Sequence, residues 1–341
     1  LNVEPCRKVI QDAFEQNITH APGMEHVREM VTGPIIPTPG AVMECTKLLY
    51  EYLGDLIVLD VGGATTDLHS VTVESDQVAR LMISPEPKAK RTVEGDLGVY
   101  VNRWKVVESI GEEKLREQCR EQGFSMEHAL ETYRAIPKTE EEVKLVELLT
   151  REAVVKAAER HAGRLRYIYG PSGRSTVAEG KDLTQVKYIV GTGGALTRLP
   201  HREEIMREIT RCNESGMLLL PGEHAQILVD HDYIMASLGV LSKRYPQAAA
   251  RLLEQSLGIT FPERKAEEPV PVCNKELSRL ETQRQQREEE LQRHIEECEA
   301  MGYDMSAYRE NKPKAGDCSH ECSRCTRLHC PNRTTQEGAS S

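Results

Sequence analysis

The chain has 341 residues, with 44 Lys and Arg against 54 Asp and Glu, and a formal charge of −10. That balance argues against a general nucleic-acid binder, which needs a basic face to neutralise phosphates. Apolar residues make up 39% of the chain and aromatics 4%. The longest apolar stretches, at 56–59 and 217–220, are strand-sized and far short of the ~18 residues of a membrane span. Ten cysteines with no signal peptide read as reduced thiols, and hence as a cytoplasmic setting, not as a disulfide framework. The opening Leu1-Asn2-Val3-Glu4-Pro5 has neither an initiator Met nor an apolar leader, so the expectation is a chain cut inside a larger protein.

Helix periodicity predicts a helix over 3–16, and a second from Thr38, as cap, and Pro39, at the first position, to about Tyr52, ended by Gly54. Strands are expected at 56–61, 68–73 and 79–83. Helices follow over 95–110, 113–121 and 140–161, the last with Val143, Val146, Leu149, Ala153 and Ala157 on one face. Strands at 165–169 and 186–190, a helix over 202–212, a strand at 225–229 and a helix over 232–242 complete an α/β domain to residue 262. A Pro- and charge-rich linker over 263–274 leads to a charged helix over 275–312. Its heptad seam of Leu277, Leu280, Leu291, Ile295 and Cys298 is interrupted by Arg284 and Glu288, which favours a solvated helix over coiled-coil pairing.

The sharpest motif is Leu56-Ile57-Val58-Leu59-Asp60-Val61-Gly62-Gly63-Ala64-Thr65-Thr66-Asp67-Leu68. An apolar strand ends in an acid, and a glycine turn with two hydroxyls leads into a second strand. Glycines let backbone N–H groups approach an anion closely, and successive N–H groups form an anion-binding nest. Thr65 and Thr66 add hydroxyl donors. Asp60, at a strand's carboxyl end, is placed to hold Mg²⁺ through water or to orient an attacking water. An ordinary hairpin has no need of flanking acids and paired threonines. His69, one residue past Leu68, is expected to be a packed histidine. A second glycine turn, Gly191-Thr192-Gly193-Gly194, follows a strand and opens a helix, which suits a base or ribose passing close to backbone.

The order of these pieces resembles the actin, heat-shock-chaperone and sugar-kinase ATPase superfamily, whose fold is actin-like (ribonuclease H-like). There Pro37-Thr38-Pro39-Gly40-Ala41 would open the inter-lobe helix. The resemblance implies that residues 60–67 are the second phosphate motif, with Asp60 and Asp67 as catalytic acids, and that 191–194 is the adenosine motif. It makes 232–239 a second connecting helix, where Ala236 and Gly239 would let two helices cross closely. Glu94-Gly95-Asp96 sits either near the nucleotide or at a helix N-terminus. At finer grain the chain is similar to the glutamate mutase L family over roughly residues 1–260. The matching strings include Ala21-Pro22-Gly23-Met24, Pro37-Thr38-Pro39-Gly40-Ala41-Val42, the run from Gly54 to Thr72, and Arg91-Thr92-Val93-Glu94-Gly95-Asp96-Leu97-Gly98. What this implies is an ATP- and Mg²⁺-dependent reactivation factor for an adenosylcobalamin-dependent mutase. The superfamily's first phosphate motif is absent, so the expectation is a C-terminal lobe without its N-terminal one, contacting nucleotide from one side.

Cys318, Cys322, Cys325 and Cys330, with His320 and His329 between them, crowd into the tail over 313–341. Thiolates this close can surround one Zn²⁺ or one iron–sulfur cluster. The first three match the spacing of radical S-adenosylmethionine enzymes, but too few residues follow for that chemistry. Two other functions compete: a small-molecule kinase, which would need a general base from the missing lobe, and an ATPase that activates an iron–sulfur dehydratase, which the tail suggests.

Overall fold

The computed structural model describes residues 35–262, apart from 171, 172 and 214, with isolated positions on either side. The helix expected over 3–16, the linker, the charged helix and the cysteine tail lie outside the described residues. The chain divides into two compact units, Leu1–Glu263 and Arg264–Ser341, and residues 35–262 fall within the first.

Helix α1 (Thr38–Leu53) starts where Pro37 and Pro39 fix φ, and ends at Gly54, whose φ of 78 suits a residue without Cβ. Thr38 is the first helical residue; Pro37 takes the cap position, and no side chain caps the helix. Strands β1 (Leu56–Val61) and β2 (Thr66–Val71) pair antiparallel about the glycine turn. The strand expected at 79–83 does not form. Ser75 Oγ accepts a bond from Val78 N and starts a short helix, α2 (Asp76–Ala79), and Met82 makes an isolated bridge to Ala178. The third strand is β3 (Ala89–Glu94), antiparallel to β2. The helix expected over 95–110 is confined to α3 (Arg103–Ile110), because residues 95–102 are drawn into bonds with the glycine turn.

Helices α4 (Glu112–Glu121), α5 (Met126–Glu131) and α6 (Glu140–His161) follow. In α6 a capping box of Thr139 and Glu142 satisfies the first turn, and Arg160 and His161 complement the dipole at the last. A two-stranded ribbon, β4 (Arg164–Gly170) with β5 (Gly173–Glu179), leads to β6 (Tyr188–Thr192). Helices α7 (Gly193–Arg198) and α8 (Arg202–Arg207), a 3₁₀ turn (Glu208–Thr210), β7 (Gln226–Val229), α9 (Met235–Ser242) and α10 (Pro246–Leu257) complete the unit.

The main sheet runs β3-β2-β1-β6-β7, with β1, β6 and β7 parallel. The molecule is therefore mixed α/β. Side-chain alternation along β1 splits the core in two. Ile57, Leu59 and Val61 face Leu145, Leu149, Ala153 and Val154 of α6. Leu56 and Val58 face Val42, Cys45 and Leu49 of α1 and Leu253 and Leu257 of α10. Both faces of the sheet are covered by helices, and just past the carboxyl ends of β1 and β6 the residues Gly63, Ala64 and Gly194 are exposed. No helix among the described residues is long and apolar enough to cross a membrane.

Candidate functional site at the carboxyl ends of the parallel strands

The glycine turn between β1 and β2 is held from behind. Val99 N donates to Gly62 O at 3.2 Å, Tyr100 N and Val101 N to Gly63 O at 2.9 and 2.7 Å, and Asn102 Nδ2 to Ala64 O at 2.8 Å. A Cβ on Gly98 would stand 2.2 Å from the Ala64 backbone, so residue 98 must be glycine for this loop to lie so close. Gly62 N donates to Thr65 O at 2.9 Å. The amides of Gly63, Ala64 and Thr65 find no partner among the described residues, and Gly63 and Ala64 are exposed. The turn's carbonyls are thus taken up by residues 99–102 while three of its amides stay unpaired, which leaves donors for an anion.

The second glycine turn lies against the first. β1 and β6 pair with Asp60 beside Thr192, and a Cβ on Gly193 would stand 2.5 Å from Asp60 Oδ1 and 2.6 Å from Val61 N. Gly193 has a φ of 86, so both sterics and backbone demand glycine there. Gly191 is buried against Met206 Sδ, Thr192 is buried, and Gly194 is exposed. The two motifs expected to share one nucleotide thus adjoin at one end of the neighbouring strands β1 and β6.

Three carboxylates occupy this end of the sheet. Asp60 pairs across the strands with Asp67. Burial, and then the Asp230 charge, push Asp60 up to about 6. Asp67 is almost wholly buried, and burial followed by the Asp60 charge lifts it to about 7. Its Oδ1 has no hydrogen-bond partner. Asp230, which follows β7, is fully buried and accepts bonds from Thr192 Oγ1 at 2.8 Å, Met235 N at 3.0 Å and Ser256 Oγ at 2.6 Å. It ties the second glycine turn to the start of α9. Asp230 is absent from the residues expected from sequence. It nevertheless carries the same signal as Asp60, an acid directly after an apolar strand, here masked by the helical pattern that begins at Asp232.

Other expected residues are occupied differently. Thr66 is buried and donates its hydroxyl to Leu97 O at 2.8 Å, so it braces the turn from inside. Glu94 and Asp96 are both bound by Arg160, at 2.7 Å each, and no helix begins at Gly95, whose carbonyl accepts from Asn102 Nδ2. Nothing in the local sequence links Arg160 to these acids. His69 is packed, as expected, with neither ring nitrogen partnered; burial drives it down to about 3 and keeps it neutral. The four tail cysteines lie outside the described residues, and among those described no group of three or more His, Cys, Asp or Glu is arranged to hold a metal ion.

A family model described as MutL protein matches residues 1–257. The chain belongs to the MutL (glutamate mutase L) family. A relative, "Protein MutL" of Clostridium tetanomorphum, is 35% identical over 269 residues, which is 75% of this chain and 58% of that protein. This MutL-family chain thus spans less than two thirds of that relative's length, and the matched region contains every element of the site.

Proposed function

We propose that this chain is the nucleotide-binding lobe of an actin-like ATPase that serves as a reactivation factor for an adenosylcobalamin-dependent mutase of the glutamate mutase kind. The observation that carries the reading is the contact of the two glycine turns, Gly193 against Asp60 and Val61, beside three unpaired amides. One face of one molecule could then hold both the phosphates and the nucleoside of ATP. Each hydrogen bond from these amides to a charged phosphate would contribute ~1.5–3 kcal/mol. The residues present fit a phosphate: the turn at 63–65 has unpaired donors, and no side chain beyond Cβ at Gly63 or Ala64.

A Mg²⁺ ion held mainly by phosphates and water suits the site, with Asp60 ordering that water. Binding a cation would also relieve the crowding of Asp60, Asp67 and Asp230. The sheet order supports the actin-like fold: β2 alone runs against the other four strands in the order β3-β2-β1-β6-β7. So does the crossing of α1 and α9, where a Cβ on Gly239 would stand 1.8 Å from Ala41 O. Those two helices would carry closure toward a second lobe, limited by the difference in nucleotide affinity between the two states. Free thiols at Cys45, Cys119 and Cys212 agree with a reducing, cytoplasmic setting. The mutase as partner rests on the family.

The test is ATP turnover by the full-length protein and its Asp60→Ala variant. Turnover should vanish in the variant while the circular dichroism spectrum keeps its shape and the melting temperature does not fall. Unchanged turnover would remove Asp60 from the chemistry. Nucleotide-dependent co-sedimentation with a purified cobalamin mutase checks the partner separately.

A further inference from the structure

A cavity of about 300 Å³ opens between β3, α1 and the end of α9, with Met43, Glu44, Lys47, Ala89, Arg91 and Lys243 in its lining. No residue that lines it belongs to either glycine turn. Its volume lies at the lower end of the ~300–1,000 Å³ range of small-molecule sites. Three of the lining side chains are cationic and one is anionic, in a chain whose formal charge is −10. Glu44 answers two of the cations at once: Lys47 Nζ lies 2.9 Å from its Oε1, and Lys243 Nζ pairs with its Oε2. One carboxylate therefore serves two ammonium groups and leaves nothing for the third cation.

Arg91 is that third cation. It stands on β3 opposite His69 of β2, which in turn stands opposite Val58 of β1, and Val58 packs on the α1 side of the sheet. Cross-strand partners share a face, so Arg91 is on the α1 side too. It is half-buried, yet its guanidinium makes no hydrogen bond or ion pair with any described residue. Asp67, on the same face of β2, is not joined to it by an ion pair, and burial lifts that carboxyl to about 7. An arginine withdrawn from water is nearly always paired, because its five donors lose their hydration. We propose that this cavity is an anion site that takes a small oxyanion, a phosphate or a carboxylate group, with Arg91 as its forked donor and Lys47 and Lys243 as flanking charges. Arg91 belongs to β3, Lys47 to α1, and Lys243 caps α9, so a bound anion would cross-link three elements, including the two helices of the close crossing. The inference goes beyond the nucleotide reading and stands whether or not the glycine turns bind ATP.

Thermal melting of the full-length protein tests it, with inorganic phosphate and with succinate, each against sodium chloride at matched ionic strength to remove general screening. At roughly ten times its dissociation constant, phosphate or succinate should raise the melting temperature by about 3 °C over the chloride control. The larger of the two responses tells which acidic group the cavity takes. Arg91→Gln should lose most of that shift. Arg91→Lys should keep part of it, since one ammonium keeps the charge but not the fork, and Lys47→Gln should lose part. Each variant is compared with its own anion-free melt, so a change in basal stability does not enter. A shift retained in full by Arg91→Gln would seat the anion outside the cavity and overturn the assignment. So would a wild-type protein that responds to neither anion beyond chloride.

Discussion

Asp60 and Asp67 stand opposite each other on neighbouring strands, and burial holds them protonated far above the ordinary carboxylate value of ~3.9. The fold therefore keeps protons that the unfolded chain releases between about pH 4 and pH 7. These two acids support the fold fully below about pH 4, and that support is lost as pH rises through about 7. They titrate as a pair, so the loss is spread over that window. Asp67→Asn keeps the shape and removes the charge. It should flatten the dependence of melting temperature on pH between 5 and 7.5 and raise the value at pH 7.5 by about 5 °C. Parallel melting curves for the two proteins across that range would show that Asp67 is not the group being titrated. Much of this was legible in the sequence, because an acid ending an apolar strand before two glycines has few structural uses. The Arg160 clamp on Glu94 and Asp96 was not, since its partners lie 66 and 64 residues away and only the folded chain joins them.

At the scale of elements, the close crossing of α1 and α9 is the most demanding contact in the unit. Gly239 lies on the Ala41 carbonyl, and any Cβ there would meet it at 1.8 Å and Cys45 N at 3.1 Å. The obstacle is helix backbone, which cannot swing aside as a side chain would. Gly239→Ala should therefore destabilise the protein by about 3 kcal/mol or more in urea unfolding, by forcing the helices apart. Gly95→Ala, where nothing lies within 4 Å, is the matched control and should change little. Equal stability of the two variants would mean that the helices can separate freely. The close approach at 239 was foreseeable from the small-residue pattern. The β3 strand was not: Ala89-Lys90-Arg91-Thr92-Val93-Glu94 lies at the sheet edge and is half-buried almost throughout, so it lacks the alternation that marks a strand with one dry face. The residues expected to form that strand, at 79–83, are apolar for another reason. Leu81 and Met82 cover a small cluster of Val78, Ala178 and Leu219.

At the scale of the molecule, the two large cores among the described residues lie within 35–262, and β1 supplies both of them from its alternating faces. The site depends on this arrangement. Its two glycine turns adjoin because β1 and β6 are neighbours in a sheet clamped between α6 and the α1–α10 layer, and not because of any bond between the turns themselves. A fragment ending at Glu263 retains both cores and all three carboxylates of the site. It should unfold in one cooperative transition, with calorimetric and van't Hoff enthalpies in agreement, and should still take up Mg²⁺–ATP if the nucleotide reading holds. A broad melt without a heat-absorption peak would mean that residues after 263 are needed to order the sheet. In that case the convergence of the turns would depend on the second unit, and the first unit alone would not form the site.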